Sequence, residues 1–373
     1  MGYNSLASRY RDQFPVTENL IYMNHAGVTP LCRRAAEAMR WVVDDNLRYG
    51  SDHYDKWMAS YTGLRQATAR LINADPAEIA IVKNTSEGIS MVAQGIDWVL
   101  GDKVIAFTEE FPANYYPWER LEARGVTVKF LSIHDSLEKI EQECQGARLL
   151  TISYVQYLSG FRTNLKALGD ICARNKCFFF VDAIQGMGVF PIDVRECKIH
   201  ALAADGHKWM LGPEGCGVLY VQQDQQDAIT PVEFGYTNVQ NASDYGKRTK
   251  LIRSDAARYE CGTMNTIGCF GLRAGIEFIL EVGVEQIGAA VLGLADQLAE
   301  GVRGKGYELY GERTAETGSG IVSFRKEGLD SRMLYMQLKN AGVIGAPRAG
   351  WMRLSPHFYI SSEDVEKAVS LLP

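Results

Sequence analysis

The stretch "ADGHKWMLGPEGCGVLYV", Ala204 to Val221, decides the fold. It sets one lysine, Lys208, between His207 and Trp209, then runs through glycines into apolar β-branched and aromatic residues. The end of the run, Cys216 to Val221, reads as a buried strand. Lysine is costly to bury, yet this one stands at the mouth of a buried element. Such an amine is either a solvated loop charge or, where burial or a nearby cation lowers its pKa, a nucleophile for an aldehyde. The glycines after it allow a tight turn before the strand.

Outward from there, runs rich in β-branched and aromatic residues recur. Strands are expected at 79–83 ("IAIVK"), 103–108 ("KVIAFT"), 126–133 ("VTVKFLSI"), 148–155 ("RLLTISYV"), 177–183 ("CFFFVDA") and 216–221. Helical segments separate several of them. In "LKALGDICARN" (165–175), Leu165, Leu168, Ile171 and Cys172 share one face. The alternation predicts an α/β fold with a mostly parallel sheet covered on both faces. Residues 222–262 are polar and irregular and are expected to form an exposed loop reaching a partner subunit. After a helix at 268–283, the segments 320–325, 334–342, 351–356 and 362–372 read as strand, helix, strand, helix. They predict a small α+β domain, with 15–265 forming the large domain and 1–14 joining 266–373 in the small one.

Composition is that of an ordinary globular protein. The 373 residues are 46% hydrophobic and 23% charged, enough for a large core and two domains. A net charge of -6, without a basic block, argues against nucleic acid. The polar N-terminus, broken by Pro15, lacks a signal-peptide core, and Leu6 stands where myristoylation wants Ser or Thr. No apolar run approaches the ~18 residues of a membrane span. A cytoplasmic protein without membrane partners is expected. The eight cysteines form no Cys-x-x-Cys pair and read as core residues, with no metal site.

Three groups fall where an open α/β sheet binds ligands, beyond the carboxyl ends of its strands. "KNTSEG" (83–88) opens a helix, where free N–H groups and the dipole favour phosphate. The same residues also suit a plain helix cap by Thr85 or Ser86. Asp182 ends the apolar "FFFVDAIQG" (178–186), where a carboxylate needs a cation or strong donors. It serves a protonated ring nitrogen or caps the next turn. Lys208 is the third. A phosphate cradle, an acid and a lysine together suit pyridoxal 5'-phosphate.

The stretches "YMNHAGVTPL", "NTSEGI", "VDAIQGMGVFPIDV", "DGHKWMLGPEGCGVLYV", "YECGTMN" and "MRLSPHFYISSEDVEKAV" resemble the class V aminotransferases, a fold type I pyridoxal-phosphate family that includes cysteine desulfurases and isopenicillin N epimerase-like proteins. The resemblance spans nearly the whole chain. It implies a large domain with a mostly parallel seven-stranded sheet between helices, plus the small domain. It implies that Lys208 bonds the cofactor aldehyde and moves the Cα proton, that Asp182 pairs with the ring nitrogen, and that Gln185 bonds the ring hydroxyl oxygen. Thr85, Ser86 and His207 would hold the phosphate, and Thr263 would serve the partner subunit's phosphate in a homodimer with composite sites. Arg353 would clamp the substrate α-carboxylate.

Departures from the family pattern narrow the chemistry. Desulfurases carry a nucleophilic cysteine ahead of the clamp arginine; "NAGVIGAPRAGWMRLSP" has none, and no cysteine follows Cys269. Phe111 stands where desulfurases stack a histidine on the ring. Asp205 replaces a serine and is expected to turn away from the phosphate or cap a loop. Gln156 occupies a place near the ring oxygen, while His25, Tyr154 and Tyr157 are candidates for the substrate side. The implied function is chemistry on an α-amino acid through an external aldimine: transamination, β-elimination including C–S lysis, or epimerisation. The rivals are a desulfurase with a non-standard nucleophile such as Cys261, and a non-catalytic protein that keeps the fold.

Overall fold

A computed structural model describes residues 3–373. Seven strands form the central sheet: β1 (Ile79–Val82), β2 (Lys103–Phe107), β3 (Thr127–Leu131), β4 (Leu149–Ser153), β5 (Phe178–Asp182), β6 (Ala201–Asp205) and β7 (Gly217–Val221). Their order is β1-β7-β6-β5-β4-β2-β3. Strand β7 runs antiparallel to β1 and β6; the remaining pairs are parallel. Six of the seven lie where the residue pattern predicts them.

The seventh, β6, has the sequence "ALAAD", and alanine has weak strand preference. Packing explains the alanines. Helix Thr85–Gly95 crosses this strand so closely that a Cβ on Gly88 would lie 2.9 Å from the Cβ of Ala203. Larger side chains on either element would hold the helix off the sheet.

The sheet is covered on both faces, and alternate residues sort between them. Ile105, Phe107, Ile152, Phe179, Val181, Leu202 and Val218 enter one core. Ala80, Val104, Leu149, Phe180, Ala203 and Leu219 enter the other, with Ile89 and Val92 of helix Thr85–Gly95. By this two-residue period Ser153, Asp182 and Asp205, the last residues of β4, β5 and β6, all fall on the face that this helix covers.

Beyond the sheet, helix Thr266–Val282 packs against helices Arg33–Tyr49 and Tyr54–Ile72. A second sheet holds β8 (Glu308–Leu309), β9 (Val322–Arg325), β10 (Ala346–Arg348) and β11 (Trp351–Leu354) in the order β10-β11-β9-β8, antiparallel throughout. Helices Ser331–Asn340 and Ser362–Ser370 accompany it. Helix Val284–Gly304 and strands β8 and β10 are additions to the sequence reading. The 222–262 segment is irregular apart from two short 3-10 turns, Gln223–Ala228 and Ala256–Tyr259, and two isolated bridges, Ile96 with Ile229 and Val239 with Ile252. Among the described residues no single helix is long and apolar enough to cross a membrane, although one bent pair of helices passes by length and composition.

Candidate active site

A cavity of about 260 Å³ opens beyond the carboxyl ends of β4, β5 and β6. Its walls include Thr85, Ser86, Phe111, Tyr157, Asp182, Gln185, His207, Lys208 and Arg353, nine of the thirteen cofactor and substrate candidates singled out in the sequence. Register explains the convergence. Ser153 stands opposite Asp182 in the β4–β5 pair, and Asp182 opposite Ala203 in the β5–β6 pair. Two residues past Ala203, β6 ends at Asp205, and the turn that follows presents His207 and Lys208.

Lys208 is half-buried, and its amine has no hydrogen-bond or ion-pair partner among the described residues. Its nearest aromatic contact is Phe111, whose ring centroid lies 5.8 Å away. Burial pulls the amine down to about 8, against the attraction of Asp182. Burial also pushes Asp182 up to about 6, although its Oδ1 accepts the Ile184 N–H at 3.0 Å. The acid therefore caps a turn and still carries an unmet demand for a cation.

Beneath them lies a carboxylate the sequence reading passes over. Glu110 accepts the Ser153 N–H at 2.7 Å, the Ser153 hydroxyl, and the Gln156 side-chain amide at 3.0 Å. It is buried, and desolvation pushes it up to about 7, with Asp182 adding to the rise. Its only sequence signal is its place directly before Phe111. Gln156 does not line the cavity; it is buried against Glu110, and its Oε1 has no partner.

At the other end, helix Thr85–Gly95 begins. Asn84 is the cap, its side chain accepting the Glu87 N–H, so Thr85 and Ser86 are left as the first helical residues. Thr85 Oγ1 accepts the Asp205 N–H at 2.9 Å. Asp205 does not turn away, contrary to expectation. It lines the cavity, and its Oδ2 lies 3.0 Å from His207 Nδ1, off the hydrogen-bond line. The carboxylate thus faces the imidazole beside the helix N-terminus.

The opposite wall is cationic. Arg353 on β11 is buried, and its Nη1 donates to the Tyr157 carbonyl at 2.6 Å, while Nε has no partner. Burial lowers Arg353 to about 9, and nearby Arg348, which also lines the cavity, adds to the drop. Phe111 is 45% exposed, and Tyr157 meets its ring edge-on at 5.2 Å. Gln185 is fixed by two bonds, donating to the Ala26 carbonyl and accepting from the Trp209 indole.

Two further sequence candidates stand apart. His25 is fully buried outside the cavity: Nδ1 contacts the Ser355 carbonyl at 2.8 Å and Nε2 the Tyr359 hydroxyl at 2.6 Å, and burial lowers it to about 4. Both nitrogens are engaged, so neither is free for substrate. Thr263 is exposed in a different hollow, with Lys83, Glu233 and Cys261. Tyr154 packs against Gly186 and donates to the Pro191 carbonyl.

An amine without a hydrogen-bond or ion-pair partner, an under-satisfied acid and the open first turn of a helix form a donor set that fits pyridoxal 5'-phosphate. Comparison with known proteins agrees. The sequence model of the aminotransferase class-V family matches residues 21–367, and the chain belongs to that pyridoxal-phosphate-dependent family of enzymes. It is 29% identical to a probable cysteine desulfurase of Pyrococcus abyssi, over 97% of this chain and 96% of that one. An uncharacterized aminotransferase of Bacillus subtilis is 28% identical over 98% and 96%. The apo cysteine desulfurase of Thermococcus onnurineus superposes with a TM-score of 0.90 at 27% identity, covering 98% of this chain and 96% of that one. A cystine C–S lyase solved with cysteine persulfide shares the fold, at a TM-score of 0.88 and 23% identity, covering 96% and 98%.

Proposed function

We propose that this cavity holds pyridoxal 5'-phosphate and catalyses proton removal from Cα of an amino acid, without transfer of sulfur to a protein thiol. The observation that carries the reading is Lys208, a half-buried lysine whose amine has no hydrogen-bond or ion-pair partner among the described residues, set in one cavity with Asp182 and Arg353. Bound there, the cofactor supplies an aldehyde for the amine and an electron-withdrawing ring.

This chain's residues do the rest. Asp182 holds the ring nitrogen protonated, with Glu110 and Ser153 behind it. Thr85, Ser86 and His207 would hold the phosphate, Phe111 would contact the ring, and Gln185 would serve its hydroxyl oxygen. Arg353 fixes the substrate α-carboxylate, which orients the Cα–H bond toward Lys208. The Lys208 amine then takes the proton and returns it at a position set by the pocket. His25 is left to the scaffold, and Gln156 acts through Glu110.

Sulfur abstraction needs a thiolate at the substrate. None of the eight cysteines lines the cavity. The segment ahead of Arg353 is a closed two-residue hairpin turn between Arg348 and Trp351 rather than a long loop with a cysteine.

A homodimer belongs to the same reading. Exposed Thr263 is accompanied by exposed Phe234, Tyr236 and Leu251, an apolar margin suited to a second copy. Eight free thiols fit a reducing, cytoplasmic location.

The test is the absorbance spectrum of the purified protein with pyridoxal phosphate. A band near ~410–430 nm that borohydride fixes onto Lys208 supports the cofactor assignment. Changes on adding single amino acids, without persulfide on the protein after cysteine, support the reaction. No band on reconstitution refutes the reading.

A further inference from the structure

We infer that the side chain of the substrate carries a second anionic group, a carboxylate or sulfinate, and that Arg348 selects it; this rests on the cavity being an amino-acid site. The geometry lies in the β10–β11 hairpin. Ala346 pairs with Arg353 and Arg348 with Trp351, joined by Ala349 and Gly350 with φ of 46° and 83°. Positive φ at both central residues is the tight hairpin turn whose twist matches the strands. Residues two apart on a strand share a face, so Arg348 and Arg353 lie diagonally across one face of this ribbon, with Cβ atoms about 7 Å apart. Both line the cavity.

The two guanidiniums differ in what they lack. Arg353 is buried and held by the Tyr157 carbonyl, the position for an obligatory α-carboxylate. Arg348 is exposed; its one hydrogen bond goes to the carbonyl of Pro347 at 3.1 Å, and no carboxylate pairs with it among the described residues. The two acids that line the cavity stand elsewhere, at the ends of β5 and β6, and Asp205 is drawn to His207. One carboxylate therefore leaves the second cation unanswered. A cationic side chain would meet Lys208, Arg348 and Arg353 together. A neutral one gains nothing from Arg348, whereas an anionic one gains a bidentate partner anchored on a short, fixed turn.

The experiment titrates the pyridoxal-phosphate-loaded protein, followed by absorbance, with L-aspartate, L-glutamate and L-cysteine sulfinate against L-alanine, L-serine and L-norvaline. The expected result is about tenfold tighter binding of the acidic set, a preference that shrinks at high salt. Arg348→Gln should collapse the ratio of acidic to neutral affinities toward one, and Arg348→Lys should restore part of it. Succinate and glutarate should likewise raise the melting temperature more than butyrate and valerate do, in wild type and not in Arg348→Gln. Equal affinities for both sets, or equal losses for both in Arg348→Gln, overturn the inference while leaving the amino-acid site intact. A spectrum indifferent to every amino acid overturns both.

Discussion

Glu110 accepts the backbone N–H of Ser153 at 2.7 Å, and Ser153 is the residue that β4 sets opposite Asp182. A carboxyl group in the cavity wall thus stands above a second one buried behind it, each lifted by burial, Glu110 to about 7 and Asp182 to about 6. Glu110 ties the segment carrying Phe111 to the strand ends that carry the acid. Without a cofactor cation, the pair carries a cost that grows as it ionises.

That cost has a sign. The folded-state pKa of Glu110 is raised above its ordinary value, so between about pH 4.5 and about 7 the folded chain holds more protons than the unfolded one. Stability of the cofactor-free protein from this group is full below that window and falls as pH rises through it, by roughly 3 kcal/mol at most. Glu110→Gln cannot ionise. In denaturant unfolding at about pH 5 and about pH 8, wild type should lose on the order of 2 kcal/mol relative to the variant. Titrating groups away from Glu110 are common to both proteins and cancel; Asp182, which interacts with Glu110, belongs to the same difference. Parallel pH profiles would show that Glu110 does not titrate in this window.

Lys208 gives a kinetic counterpart. Only the neutral amine attacks an aldehyde, and burial brings this one to about 8. The rate of pyridoxal-phosphate capture by the apoprotein should rise with pH and level off above about 8, more than two units below the plateau of an ordinary lysine. Absorbance after mixing measures it. A rate still climbing at about pH 10 would remove the amine from the desolvated environment described here. Lys208→Ala should bind the cofactor without borohydride-stable attachment and lose about 10³-fold or more in turnover.

Much of this arrangement is legible in the sequence because the chemistry selects rare residue types. A lysine set ahead of a glycine run and an apolar strand, an acid ending "FFFVD" and a Thr-Ser-Glu-Gly helix start stand out against composition. Residues that work through partners do not. Glu110 is one of two adjacent glutamates, and only the fold shows that it is buried under Ser153 while Glu109 instead accepts from Ser132 and Ile133. Arg348 sits in a stretch that reads as a loop, because a short strand closed by Ala-Gly lacks the usual Asn-Gly turn signal. Strand β6 is hidden by its alanines. His25 lies beside family-like residues, yet its ring is spent on Ser355 and Tyr359. Sequence spacing carries element type well and side-chain direction poorly.

Arg353 separates clamping from bare charge. Its planar head donates to the Tyr157 carbonyl and keeps Nε unpartnered. Arg353→Lys retains a cation but cannot make a two-pronged bond to a carboxylate while holding that carbonyl. Amino-acid affinity, read by absorbance titration, should fall about 100-fold, a loss of roughly 3 kcal/mol. The cofactor band and its retention should be unchanged. A variant that loses the cofactor instead would assign Arg353 to holding the cavity together.

Gly88 tests the alanine strand that carries the lysine turn. A methyl at this position would come to 2.9 Å from Ala203 Cβ, closer than side chains pack, and both backbones are held in regular structure. Gly88→Ala should therefore destabilise the protein by about 1–3 kcal/mol although alanine is the better helix former. The helix must also tilt or lift, which moves Thr85 and Ser86 and disturbs the Thr85 contact to the Asp205 N–H. Phosphate affinity should weaken with stability, measurable as faster cofactor loss on dialysis. Ala203→Gly alone should cost about 0.5–1 kcal/mol through chain entropy. Combined with Gly88→Ala it removes the clash, so the double variant should be more stable than the sum of the singles by about 1 kcal/mol or more. Strict additivity would mean that the helix and β6 do not meet at this point.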